Sequence, residues 1–74
     1  MISIQVVRLG TGKPVAGSRV VLGFEGVFRG ISKGHYTDSN GEVHFDNDPG
    51  DGVIFVDGMQ EFKGRIEGRR VLHL

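Results

Sequence analysis

Glycine interrupts this chain so often that a helix of ordinary length has no room to form. The longest stretch without glycine is nine residues, from Met1 to Leu9, whereas a typical α-helix has about eleven or twelve. Each glycine inside a helix costs about 1 kcal/mol. The glycines keep no three-residue period and are accompanied by only two prolines, which excludes collagen-like and proline-rich disordered chains. The pattern therefore predicts a small all-β domain with many turns.

The chain has 74 residues and no cysteine. We expect a single domain over residues 1–74 with a marginal core, because a chain of about sixty residues buries only about 60% of its unfolded surface. A disulfide, a thiolate metal site and a cysteine nucleophile are excluded, so self-association is the remaining way to add stability.

The N-terminus shows no signal-peptide pattern, and no apolar stretch approaches the ~20 residues of a membrane helix. We therefore expect a cytoplasmic protein without a membrane partner.

Nine basic and nine acidic residues cancel, but they are distributed unevenly. Residues 1–33 carry five basic and one acidic residue, 34–58 carry six acidic and no basic residues, and 59–74 carry four basic and two acidic residues. Strands from the three segments can interleave and neutralise one another, or the charges can form a dipolar surface that steers a partner or a second copy. Because the chain has no net basic footprint, we expect no nucleic-acid binding.

Alternating apolar and polar residues predict six or seven short strands. In the second strand the even positions form one apolar face, while Arg19, Val21 and Gly23 form the other. The continuous apolar run at 53–56 predicts a central strand that is buried on both faces. The strands are expected at 2–6, 18–24, 35–37, 42–45, 53–56, 61–66 and 69–74.

The clearest local signal is a turn at residues 38–41. Asp38 in the first position, Asn40 in the third and Gly41 in the fourth suit a type I turn that closes through a left-handed glycine. We expect this turn to join residues 35–37 and 42–45 in a hairpin.

The loop length of that hairpin decides what its two histidines face. A four-residue loop places His35 opposite His44 with their Cβ atoms about 5 Å apart, close enough to share a metal. The three-residue loop with a glycine bulge, which we prefer, places His44 opposite Tyr36 and His35 opposite Phe45. In this register the two histidines do not face each other, so they form no pair that could share a metal.

Three segments resemble the carboxypeptidase regulatory-like domains, which belong to the prealbumin-like (transthyretin-like) β-sandwiches. They read GKPVAGSRVVL at 12–22, TDSNGEVHF at 37–45 and GVIFVDG at 52–58, and every matched position is a turn or core residue. The resemblance implies a small Greek-key β-sandwich of short antiparallel strands. It implies no reaction, since such domains act as accessory modules that support folding, attach to neighbouring domains or bind partners.

Residues 25–34 are the segment that turn chemistry explains least well. Val27, Phe28 and Ile31 lie there among glycines at every fourth position, which we interpret as a loop with at most a short edge strand. Exposed apolar residues of this kind indicate a contact surface, and Tyr36 lies close by in the sequence. We therefore expect a non-catalytic binding or assembly module that joins a protein partner or a second copy through this 25–34 loop or through exposed strand edges.

The alternative is a metal or small-ligand site that uses His35, His44 and the oxygen-rich loop Asp46–Asp51. That loop departs from the calcium-loop pattern, because Gly50 and Asp51 stand where the pattern requires Asp or Asn followed by Gly.

The chain has no phosphate-binding loop, no G-x-S-x-G elbow and no aspartic-protease triplet. We therefore expect no enzymatic activity and no cofactor.

Overall fold

The computed structural model describes residues 1–26 and 30–74. This part of the chain forms strands and no helix, which confirms the all-β prediction, and so it contains no helix able to span a membrane. Val27 and Phe28 lie outside the described residues. The strands are β1 Ile2–Val7, β2 Arg19–Phe24, β3 Gly30–Ile31, β4 His35–Tyr36, β5 Glu42–Phe45, β6 Gly50–Val56, β7 Met59–Ile66 and β8 Arg69–His73.

The strands form two sheets. One has three strands in the order β5-β1-β8, and the other has five, in the order β3-β2-β6-β7 with β4 also paired to β2. The prediction of six or seven antiparallel strands is wrong in two details. The described residues form eight strands, and β8 runs parallel to β1, with Ser3 opposite Arg69 and Val7 opposite His73. The chain changes sheets after β7, so β8 lies beside the first strand.

The additional strand arises because β3 and β4 lie end to end along one side of β2. Ile31 is opposite Gly23, and His35 is opposite Val20. Between them, the Ser32 amide donates to the Leu22 carbonyl at 2.7 Å, as in a regular sheet. The Leu22 amide, however, donates to the side-chain Oγ of Ser32 at 2.9 Å and not to a backbone carbonyl. The interruption divides one strand position into two short strands.

The core contains buried residues from both sheets. The even positions of β2 belong to it, as their alternation predicts. On one side the Arg70 guanidinium carbon lies 4.0 Å from the centre of the Phe62 ring, so a cation–π contact joins β8 to β7. The core residues are Ile2, Ile4, Val6, Val20, Leu22, Phe24, Val43, Phe45, Ile54, Val56, Ile66 and Leu72.

The predicted hairpin across residues 38–41 is wrong in its strand pairing. Instead of pairing with each other, β4 pairs with β2 and β5 pairs with β1, so the chain crosses between the sheets at this turn. The crossing is held by Thr37, whose buried hydroxyl donates to the Val15 carbonyl at 2.7 Å and accepts from the Ser18 amide at 3.0 Å. These bonds attach the crossing segment to the loop before β2 and leave β5 free to pair with β1.

The run at 53–56 is central in its sheet, as predicted, because β6 lies between β2 and β7. The prediction that this strand is buried on both faces is wrong, however. Ile54 and Val56 belong to the core, whereas Val53 and Phe55 point outward and are only half-buried. Their surface is the outward side of the five-stranded sheet.

Candidate interaction surface

The five-stranded sheet carries apolar side chains on its outward side. Val21 is opposite Phe55, and Gly23 is opposite Val53. The short strands beside β2 add two more residues, since Ile31 is opposite Gly23 and Tyr36 is opposite Arg19. We call this surface the apolar face, and it consists of Val21, Ile31, Tyr36, Val53 and Phe55.

Gly23 lies near the middle of the apolar face, beneath two neighbouring side chains. A Cβ atom added there would lie 3.2 Å from Val53 Cγ2, 3.4 Å from Phe55 Cε2 and 4.0 Å from Ile31 Cγ1. Val53 and Phe55 therefore cover the position, which makes the middle of the face flat and apolar. At its side Ile31 is 73% exposed and Tyr36 is 68% exposed, whereas Val21 is only 8% exposed.

Charged residues lie at both ends of the apolar face. Arg19 begins β2 at one end, while Glu25 follows β2 at the other, where its amide donates to the Asp51 carbonyl at 2.9 Å. The two salt bridges found among the described residues join Arg65 to Glu67 and Arg69 to Glu42. The side chains of Arg19, Glu25 and Asp51 therefore form no ion pair within the described part of the chain, and they are available to a partner.

The outward side of the three-stranded sheet is different, because its polar groups bond to one another. Arg69 donates through Nη1 to Glu42 Oε1 and through Nη2 to Gln5 Oε1, both at 2.7 Å. Ser3 Oγ and His44 Nδ1 are hydrogen-bonded at 2.9 Å. This surface is mainly polar, and five of its side chains bond to one another, so the exposed apolar character of the two sheets lies mainly on the five-stranded one.

The strand edges have features that discourage pairing with another chain. β7, the eight-residue edge strand, has a register irregularity opposite Ile54 and Phe55 and a glycine with φ +148° at position 64. Lys63 and Arg65 add charge to this edge. Bulges and charged residues are the devices by which natural sheets avoid edge-to-edge association, so the β7 edge is a weaker candidate for binding than the apolar face.

The two histidines lie in different sheets and make separate contacts. The His35 ring meets the Phe45 ring edge to face, with their centroids 5.0 Å apart and an interplanar angle of 77°. Both predicted registers are therefore wrong, the preferred one with His44 opposite Tyr36 included, because β5 pairs with β1, where His44 is opposite Ser3, and β4 pairs with β2. Within residues 1–26 and 30–74, no group of three or more His, Cys, Asp or Glu side chains could hold a metal ion.

The turn at 38–41 is organised by the Asp38 carboxylate. Its Oδ1 accepts from the Asn40 amide at 2.8 Å and from the Glu42 amide at 3.0 Å, while the Gly41 amide donates to the Asp38 carbonyl at 2.9 Å. The hydrogen bonds from Glu42 and then Asn40 lower the pKa of Asp38 below its ordinary value, because they stabilise the charged carboxylate. The geometry gives these residues a structural role in the turn.

The sequence indicated Ile31 and Tyr36 but missed Val21, Val53 and Phe55 as members of this surface. A signal for them was present, since the run at 53–56 is apolar at every position. In a chain this short, one core leaves the second face of such a strand without a covering layer. Comparisons with protein-family models, with curated proteins and with solved structures gave no match to the chain.

Proposed function

We propose that this protein is a non-catalytic assembly module that associates with a second copy of itself through the apolar face. The observation that carries the proposal is the arrangement of this surface, an apolar centre between two charged ends. Protein interfaces combine an apolar core with a polar rim in the same way. The two-sheet fold supplies the rigid support, because the inward residues of β2 and β6 belong to the core.

Charge complementarity favours a second copy as the occupant. The face has Arg19 at one end and Glu25 and Asp51 at the other, and none of the three forms a salt bridge within the described residues. A surface with opposite charges at its two ends is complementary to itself when one copy is turned end for end. Symmetric homodimers use the same patch on both subunits, and this patch meets that requirement without a residue from another protein.

The size of the apolar face limits the expected affinity. Three strand positions about 4.8 Å apart and five residues about 3.4 Å apart cover about 250 Å² in projection. Standard protein interfaces bury about 800 Å² on each partner. We therefore expect a reversible dimer with a dissociation constant in the micromolar range or weaker.

The test compares two substitutions at equally exposed apolar residues. Ile31 on the apolar face and Leu9 in the loop after β1 are 73% and 72% exposed. Sedimentation velocity from about 1 μM to about 1 mM should show a concentration-dependent dimer for the wild type and for Leu9→Asp. Ile31→Asp should remain monomeric, because it places a carboxylate in the apolar centre.

Two results would contradict the proposal. A folded wild type that stays monomeric at about 1 mM would exclude self-association and leave a different protein as the occupant. An Ile31→Asp variant that dimerises as the wild type does would place the contact elsewhere, with the strand edges as the next candidates.

We also propose that the two sheets form a prealbumin-like Greek-key sandwich. The segments that resemble the carboxypeptidase regulatory-like domains support this proposal, and so does the strand count. If β3 and β4 are counted as one interrupted strand on the same side of β2, the described strands occupy seven positions. An experimental structure with a strand order foreign to prealbumin-like domains would contradict it.

A further inference from the structure

β2 carries opposite charges at its two ends on the outward side of the sheet. Arg19 is its first residue, and Glu25 follows its last residue in the same alternation, with Val21 and Gly23 between them. This inference rests on the proposed function. We infer that two copies meet through their apolar faces and are related by a two-fold axis that lies between the faces and runs across the strands of the five-stranded sheet. Arg19 of each copy then faces Glu25 of the other.

The alternative axis, parallel to the strands, is disfavoured by charge. It would bring the same ends of the two faces together, so that Glu25 and Asp51 of one copy would meet the same two residues of the other. Like charges placed opposite each other across an interface reduce affinity and suppress that arrangement. The axis across the strands instead opposes the acidic end of β2 with Arg19.

The same axis brings the apolar residues of the two copies together. Val21 and Gly23 occupy consecutive outward positions, and an axis that passes between them places Val21 of one copy over Gly23 of the other. Gly23 lies beneath the Val53 and Phe55 side chains of its own copy, so Val21 of the other copy meets an apolar surface there. Phe55 of one copy then lies over Val53 of the other.

The position of Arg19 suits this contact. A Cβ atom at Gly34 would lie only 2.7 Å from Arg19 Cζ, so the guanidinium lies against a residue that leaves space for it. Asp57 has to be counted for both axes. The axis across the strands places Asp57 opposite Asp51, whereas the axis parallel to the strands would place it opposite Arg19. In both cases its Oδ1 already accepts from the Arg19 amide of its own copy at 2.9 Å, so we assign the attraction between the two copies to Arg19 and Glu25.

Charge reversal tests the axis. Arg19→Glu and Glu25→Arg should each weaken the dimer by about fivefold or more, because every substitution acts twice in a two-fold interface and replaces an attraction by a repulsion. Both effects should be reversed by the double variant Arg19→Glu/Glu25→Arg and by an equimolar mixture of the two single variants. Lys13→Glu, in the loop before β2, serves as the control and should dimerise as the wild type does.

The outcomes separate this inference from the proposed function. A wild type that dimerises through the apolar face but whose double variant stays as weak as the single variants would overturn the axis and leave the assembly function standing. Single variants that dimerise as the wild type does would overturn it as well. A monomeric wild type would overturn both. Urea denaturation of each variant establishes that the monomers are folded before their association is compared.

Discussion

Gly12 and Gly41 have nearly the same backbone conformation, with φ of +72° and +73°, but their surroundings differ. No atom lies within 4 Å of a Cβ added at Gly12, whereas one at Gly41 would overlap the Val6 carbonyl oxygen and lie 3.1 Å from the Val15 amide nitrogen. Gly12 is needed for its conformation alone. Gly41 is needed for its conformation and also because β1 and the loop before β2 pass close to it.

Alanine substitution separates the two requirements. Gly12→Ala should lower the free energy of unfolding by about 1 kcal/mol, the cost of a left-handed residue with a side chain. Gly41→Ala should lower it by about 3 kcal/mol or more, since backbone atoms must also move. Urea unfolding measures both values. Equal losses for the two variants would contradict the close approach at Gly41.

Asp38 makes stability depend on pH in a defined direction. Hydrogen bonds from the Glu42 and Asn40 amides lower the pKa of Asp38 in the folded protein, so the folded state favours the carboxylate more than the unfolded state does. This contribution is fully present above about pH 4, the unfolded pKa, and is lost as the pH falls through the lower folded pKa.

The variant Asp38→Asn removes this dependence. The wild type should exceed it in free energy of unfolding at pH 6, and the difference should shrink as the pH falls below about 4. Ser39→Ala, an uncharged change in the same turn, should show no such trend. A difference between wild type and Asp38→Asn that stays constant from pH 6 to about pH 2 would contradict the assigned role of the carboxylate.

At the scale of the elements, the change of sheet between β4 and β5 depends on Thr37. Thr37→Val keeps the shape of the side chain but leaves the Ser18 amide and the Val15 carbonyl without their partner. We expect a loss of about 2–3 kcal/mol in the free energy of unfolding. Thr37→Ser retains the hydroxyl and should lose about 1 kcal/mol or less. If valine is tolerated as well as serine, these bonds do not hold the crossing.

The strands were predictable where one face meets the core. In β2, Val20, Leu22 and Phe24 alternate with outward residues and are buried as expected, because local periodicity reports the burial of single positions. The partner of β5 was not predictable, because the same turn at 38–41 can lead into a hairpin or into a crossing. That choice depends on Thr37 and on the distant loop at 15–18, which no local pattern reveals.

The interaction surface was predictable only in part for a similar reason. Ile31 and Tyr36 stood out because they lie among glycines and turn residues. Val53 and Phe55 were expected to be buried, since an apolar run does not reveal how many layers cover it. Only the arrangement of two sheets around one core shows that their side of β6 faces outward.

At the scale of the whole molecule, the two sheets have different outward surfaces. The three-stranded sheet has a bonded network of Arg69, Glu42 and Gln5. The five-stranded sheet has the apolar face, whose end charges form no salt bridge in the part of the chain that the structure describes. One surface is complete in the single chain, whereas the other offers contacts that a second copy can complete. This difference is the central claim, since it selects one surface for assembly.

Amide NMR spectra recorded on dilution from about 1 mM to about 10 μM test this claim most directly. We expect concentration-dependent shifts at Val21 to Gly23 and at Val53 to Phe55, with smaller changes at Ser3 and His44 on the three-stranded sheet. Shifts confined to β7 or to the three-stranded sheet, or spectra that do not change with concentration, would contradict assembly through the apolar face.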